Sequence, residues 1–186
     1  LIKLDKDVAL FGGSFDPPHL GHQEIVKRVL ELNGVNRVIV MPTWLNPFKS
    51  KSFTPPAKRL EWSKRVFDMP NVIVSDYEIK KGRPVYTVES YRDLSRDYPI
   101  GYLVIGSDNL ESITKWREFD KLNQNLTWIV ATREGYKLDF SPLREYIELP
   151  LNIDISSSEI RQGFGLEYLD DKIQDEVKNI YKKESS

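Results

Sequence analysis

The chain contains no cysteine among its 186 residues. That excludes disulfides, thiolate-bound metals and a cysteine nucleophile, and it fits a reducing cytoplasm, the compartment expected for it. Histidine is nearly as scarce, with two in all, too few for a metal centre built from histidines. Neither sign of charge dominates: 27 basic against 28 acidic residues leave a net charge of −1. No broad basic field exists for nucleic acid or an anionic membrane, so any phosphate recognition has to be local. No apolar run approaches the ~18–20 residues of a membrane span, and no signal-peptide pattern opens the chain. What is present is a globular composition, 40% hydrophobic and 30% charged, with length enough for one domain and a sizeable core.

Along the chain, short apolar runs alternate with helical spacing. Residues 8–11 read as a buried strand halted at Gly12-Gly13. Ile25, Val26, Val29, Leu30 and Leu32 then recur at helical spacing until Asn33-Gly34. Residues 37–41 are a second strand and 43–56 a proline-rich loop, after which Pro55-Pro56 opens a helix reaching Phe67. Further strands are expected at 71–74, 100–105, 127–131 and 146–149. Helices are expected at 87–98, at 116–122, from Ser156, and through Leu166, Leu169, Ile173, Val177 and Ile180. This alternation implies βαβ units, hence an α/β fold: a Rossmann-like doubly wound parallel sheet with helices on both faces. Residues 1–186 read as one domain, with 151–186 as a helical C-terminal extension. In such sheets ligands bind beyond the carboxyl ends of the strands, where the strand order reverses.

Directly after the first strand stands Gly12-Gly13-Ser14-Phe15-Asp16-Pro17-Pro18-His19-Leu20-Gly21-His22, which holds both histidines of the chain. The two glycines let the backbone approach a phosphate closely. His22 opens a helix, whose free N–H groups and positive partial charge suit a triphosphate. Gly21 is expected to keep that first turn clear for the ligand. The structural alternative is a glycine-rich turn with two surface histidines. As a metal pair, the histidines lack a third ligand.

This stretch resembles the signature of the nucleotidyltransferase superfamily that carries a His-x-Gly-His element. Its Phe-Asp-Pro-Pro-His form is similar to the nicotinate and nicotinamide mononucleotide adenylyltransferases. Further matches are Asn46-Pro47-Phe48-Lys49, Tyr86-Thr87, and Gly106-Ser107-Asp108 with Trp116 eight residues beyond. Ala131-Thr132-Arg133-Glu134-Gly135-Tyr136 departs from the family pattern by an extra Thr before the Arg and a Glu in place of Pro. Ile155-Ser156-Ser157-Ser158-Glu159-Ile160-Arg161 matches closely. Ser156 and Glu159 have capping-box spacing, which accounts for a helix start but not for Arg161 or three serines in a row. No Gly-x-Gly-x-x-Gly, Gly-x-x-x-x-Gly-Lys-Ser/Thr or Gly-x-Ser-x-Gly signature competes.

The resemblance implies adenylyl transfer from ATP to nicotinate mononucleotide in NAD biosynthesis, with magnesium carried by the phosphates rather than by protein ligands. His19 and His22 are the implied catalytic pair, donating hydrogen bonds to the ATP phosphates. Gly12, Gly13, Ser14, Phe15, Gly21, Gly106, Asp108, Ser157, Ser158 and Arg161 are implied for ATP binding, Asp108 through a ribose hydroxyl. Asp16, Lys49, Thr87, Trp116, Arg117 and Arg133 are implied for the mononucleotide. There Lys49 screens the repulsion between substrates and Trp116 stacks on the pyridine ring. Backbone N–H groups near Thr87 and Arg117 meet the pyridine carboxylate, and an inward turn of the Arg117 side chain adds a cation. The alternatives are nicotinamide mononucleotide as acceptor, a dual-specificity enzyme, or a catalytically silent nucleotide-binding module. Partners are expected to be these small molecules, with no nucleic acid and no membrane. Homo-oligomerisation is left open.

Overall fold

The structure, a computed structural model, describes residues 5–133 and 138–184. Six strands form one all-parallel sheet. They are β1 (Val8–Gly13), β2 (Arg37–Pro42), β3 (Val72–Val74), β4 (Ile100–Gly106), β5 (Thr127–Thr132) and β6 (Tyr146–Pro150). Their order is β3-β2-β1-β4-β5-β6, so the direction of winding reverses between β1 and β4. Helices cover both faces, as the Rossmann-like reading requires. The α-helices are α1 (Leu20–Glu31), α2 (Pro56–Val66), α3 (Tyr77–Lys81), α4 (Thr87–Leu94), α5 (Phe119–Asn125), α6 (Ser157–Arg161) and α7 (Gln174–Glu184).

The two-residue period of the strands builds two cores. Ala9, Phe11, Val38, Val40, Val104 and Ile129 point to one face, where Ile25, Val26 and Val29 of α1 and Trp62 and Val66 of α2 cover them. Val8, Leu10, Ile39, Leu103, Ile105 and Trp128 point to the other, against Val88 and Leu94 of α4 and Leu122 of α5. Leu169, Ile173, Val177 and Tyr181 belong to the first core, so the C-terminal segment closes one face of the sheet. Among the described residues no helix is long and apolar enough to cross a membrane.

Several helices differ from expectation. α4 stops at Leu94 and the chain turns through 95–98, because Tyr98 precedes Pro99 and a residue before proline is driven out of the helical region. A 3₁₀ helix at Ser107–Lys115 was not expected, and the helix expected at 116–122 forms three residues later as α5, because Trp116 is itself extended (φ −64°, ψ 141°). The last helix is divided. A 3₁₀ turn at Leu166–Tyr168 ends in extended Leu169, and the Asp170 carboxylate then accepts the Lys172 N–H at 2.9 Å to start the turn leading into α7. The short α3 had no periodic signal, since five residues scarcely complete a turn and a half.

Candidate active site

The carboxyl ends of β1 and β4, where the winding reverses, open into a cleft of about 380 Å³. β1 delivers Gly12 and Gly13 to it. A Cβ at Gly12 would meet only Met41, at an ordinary 3.5 Å, so packing alone does not demand glycine there. At Gly13 a Cβ would press on the Phe15 ring at 3.1 Å. Phe15 holds a left-handed backbone (φ 46°), a conformation costing a non-glycine residue of order 1–3 kcal/mol. Its ring is buried with edge contacts to Phe11, His22 and Phe67. Burying a Phe stabilises by about 1.5–3 kcal/mol, which offsets that strain. The strained turn thereby sets an aromatic wall beside His22.

The histidines form an unusual capping box at the start of α1. Nδ1 of His19 accepts the Gly21 N–H at 3.1 Å, and Nδ1 of His22 accepts the His19 N–H at 3.1 Å. A nitrogen that accepts from an N–H carries no proton, so both rings are held as the Nε2–H tautomer. They lie stacked 3.7 Å apart. Burial, with the Arg133 charge nearby, lowers the His19 pKa to about 3. Burial, then His19 and Arg133, pushes His22 well below its usual value. The pair is neutral at physiological pH and has one thing to offer a ligand, a hydrogen bond from each Nε2. Gly21 serves this arrangement directly: a Cβ there would stand 2.9 Å from His19 Cε1 and 3.0 Å from Nδ1. That is a nearer reason for the glycine than the ligand clearance expected from sequence.

The serine-rich helix start docks on the same loop across some 140 positions of chain. Ser157 Oγ donates to the Pro17 carbonyl at 2.9 Å, and Arg161 donates to the Asp16 carbonyl at 2.7 Å and to Ser158 Oγ at 2.9 Å. The Arg161 guanidinium also lies 4.3 Å over the Phe53 ring. Ser156 and Glu159 make the expected capping box as well. Arg133 donates to the Ile155 carbonyl at 2.7 Å, and its charge acts on both histidines, which places it beside the histidine pair. Residues 134–136 of its matched stretch lie outside the described residues.

Asp16 is 3% exposed and its carboxylate is occupied. It accepts the N–H groups of Phe53 and Thr54 at 2.9 and 3.3 Å and the Tyr181 hydroxyl at 3.1 Å. Asp16 thus lines the cleft, where contact with the mononucleotide is expected, and also holds the loop after β2. Buried Arg59, unremarked in the sequence, does the complementary work. It donates to the carbonyls of Ser14, Trp44 and Thr54 at 2.6, 2.9 and 3.0 Å, tying the signature loop to both ends of the 43–56 segment. The one signal was an arginine on the helix face shared by Trp62 and Val66.

The opposite wall is aromatic and polar. Trp116, half-buried, sets its edge against Trp128 at 6.1 Å and lines the cleft. Arg117 stacks 4.8 Å over the Tyr86 ring, at the rim beside Thr87. No side chain caps the start of α4 at Thr87, so its first N–H groups remain available. Asp108 stands exposed at the end of β4, and a Cβ at Gly106 would overlap its Oδ1 at 2.5 Å. Lys49 is exposed on the loop, in a turn that Asn46 stabilises by accepting the Lys49 and Phe48 N–H groups at 2.9 Å each. Among the described residues no cluster of three His, Cys, Asp or Glu side chains is arranged to hold a metal ion.

A sheet of this order, with neutral imidazole donors and a guanidinium gathered at its switch point, is that of a nucleotide-binding nucleotidyltransferase. The cytidylyltransferase-like family model matches residues 10–163. The "Probable nicotinate-nucleotide adenylyltransferase" of a Sulfurovum species is 44% identical over 177 residues, 95% of this chain and 94% of that protein. That of a Nitratiruptor species is 42% identical over 178 residues, 94% and 98% of the two chains. A solved Plasmodium falciparum nicotinic acid mononucleotide adenylyltransferase, complexed with NaAD, shares the fold with a TM-score of 0.76 at 21% identity, covering 94% of this chain and 97% of that one. The chain belongs to the nicotinate-nucleotide adenylyltransferase family, within the cytidylyltransferase-like group.

Proposed function

We propose that this protein transfers the adenylyl group of ATP to nicotinate mononucleotide, forming nicotinate adenine dinucleotide and pyrophosphate, a step in making NAD. The observation that carries this reading is the stacked, neutral His19–His22 pair, held as Nε2–H donors in the cleft that Gly12 and Gly13 also line at the switch point. A phosphate oxygen of the mononucleotide attacks the α-phosphorus of ATP, and the bond from that phosphorus to the bridging oxygen of pyrophosphate breaks. The nucleophile is already an anion, so no general base is needed, and neutral imidazoles could not act as acids without first gaining a proton. Catalysis then rests on alignment and on donors aimed at the developing charge. Removing one such donor lowers turnover by about 10²–10³.

In this reading Gly12, Gly13 and Ser14 bring backbone close to the triphosphate, with Phe15 and Gly21 holding the histidines in place. Ser157, Ser158 and Arg161 hold its tail, with Arg133 adding charge beside the histidines. Gly106 and Asp108 receive the adenosine ribose. Magnesium arrives with ATP as part of the substrate, since it keeps several waters and binds chiefly through phosphates. Lys49 screens the two anionic substrates from each other. The pyridine ring lies on Trp116, with its carboxylate facing the open N–H groups at Thr87 and the Arg117 backbone. An amide would turn an NH₂ toward one of these donors, a mismatch worth about 1–3 kcal/mol, so at least ~10-fold preference for the acid is expected. Pyrophosphate release with the nicotinate and nicotinamide mononucleotides side by side tests this. Equal kcat/KM for the two would sink the carboxylate reading, and release with neither would remove the enzyme assignment.

A further inference from the structure

Behind the acceptor wall lies a buried polar cluster that the proposed mechanism leaves unused. Glu78 of α3 is 2% exposed and lines the cleft. Its Oε1 accepts the hydroxyl of fully buried Ser90 at 3.1 Å, one turn beyond Thr87 on α4. Its Oε2 has no hydrogen-bond partner, and neither has Oγ1 of Thr43, a second buried atom on the same wall. Between them in the chain is the backbone N–H of Trp44, which faces the Glu78 carboxylate closely enough to favour its charged form without completing a hydrogen bond. The rest of that peptide segment is pinned: Thr43 N–H to the Gly13 carbonyl at 2.9 Å, and the Trp44 carbonyl by Arg59.

A buried acceptor left without a partner costs about 1–3 kcal/mol and is rare, so its survival calls for a reason. The reason is in what the carboxylate joins. On one side is the loop that carries Lys49, and on the other the helix that presents Thr87, and both belong to the acceptor half of the cleft. Hydrogen bonds at such sites are often long without ligand and tighten when it binds. We propose that Glu78 is a positioning residue for the acceptor, a latch whose free Oε2 takes the Trp44 N–H when the loop settles on the mononucleotide. It joins the Lys49 loop to α4, and binding on one side thereby orders the other. The inference deepens the proposed function, resting on the assignment of Lys49 and Thr87 to the acceptor. It predicts that Glu78 acts on one substrate and not on the other. Gln at this position can still offer its carbonyl oxygen to Trp44 and its NH₂ to the Ser90 hydroxyl, so it should rescue in part.

Calorimetric affinities decide it, because they do not depend on turnover. Relative to wild type, Glu78→Ala should weaken nicotinate mononucleotide by about 10-fold or more and Glu78→Gln by about 3-fold, with ATP affinity held within about 2-fold. Ser90→Ala, a smaller change, keeps the test alive if Glu78→Ala does not fold, and should also weaken the mononucleotide alone. Equal losses for both ligands in these variants, or lowered thermal stability with both affinities intact, would overturn the latch. Wild-type protein that binds the mononucleotide but releases no pyrophosphate would refute the proposed reaction and leave the latch to be judged on the same affinities. Wild-type protein that binds no mononucleotide refutes both.

Discussion

The Tyr181 hydroxyl of α7 lies 3.1 Å from the carboxylate of Asp16 in the signature loop, 165 positions earlier in the chain. Thr54 Oγ1 meets the same hydroxyl at 3.1 Å. The C-terminal helix thus reaches through the first core to brace the residue that anchors the loop after β2, joining the far end of the chain to the site.

Tyr181→Phe keeps the ring and removes the hydroxyl, leaving a buried carboxylate one donor short. A loss of about 1–3 kcal/mol in stability is expected, read as a lower midpoint in urea. Turnover should fall as well, because the 53–54 backbone hangs on the same carboxylate. Unchanged stability and kinetics would mean that the brace is idle.

Gly21→Ala tests the imidazole geometry without touching an imidazole. The new methyl would stand 2.9 Å from the His19 ring, within a buried turn where Ile155 also closes in at 3.4 Å. Turnover should drop by about the 10²–10³ expected for losing an oriented donor, while circular dichroism stays native. His22→Ala should match it, with a smaller loss in ATP affinity than in turnover. Near-wild-type turnover in both variants would remove the histidine pair from the mechanism.

Arg161 already donates to Asp16 and Ser158, so its loss should act through the phosphate tail and the loop together. Arg161→Ala should raise the KM for ATP more than that for the mononucleotide. Arg161→Lys should recover only part of this, since an ammonium lacks the planar fork that spans two oxygens. A rise confined to the mononucleotide would show that the wrong anion has been assigned to this arginine.

Stability without ligand should depend on pH through three buried groups of opposite effect. The histidines have pKa values lowered in the folded state, His19 from 6.5 to about 3. Below pH 6.5 the unfolded chain takes up protons that the folded chain refuses, so their contribution is full above 6.5 and is lost as pH falls. The slope is up to about 1.4 kcal/mol per pH unit for each. Glu78 is raised by burial from 4.5 to about 7, so its contribution runs the other way and is lost as pH rises through that window. Between pH 5 and about 6.5, two terms rise against one that falls, and net stability should increase with pH. Glu78→Gln deletes the falling term and should steepen the rise in urea midpoint. A flat profile in both proteins would show that the histidines are not held neutral by burial.

Local chemistry made much of this protein legible in its sequence. The strands, their parallel pairing and the two-sided sheet followed from alternating periodicity. The eleven residues from Gly12 to His22, with the Gly-x-Asp and Ile-Ser-Ser elements, located the cleft, because each motif sits where a strand ends. What stayed hidden depended on partners far apart in the chain. That the Asp16 carboxylate, at the cleft, also holds Phe53, Thr54 and Tyr181 could not be read from its motif. Nothing in the sequence marked the buried roles of Arg59 and Glu78, because burial of a charge is decided by what packs over it and no local pattern encodes that. The protonation of His19 and His22 was likewise beyond reach: the residue types and their spacing belong to the sequence, but the tautomer follows from which N–H meets which ring nitrogen, and neutrality from desolvation. Short-range sterics and periodicity let the sequence alone determine the fold class and the place of the site. Only tertiary packing, which sets burial and long-range hydrogen bonds, decided which of those side chains face a ligand and which hold the others still.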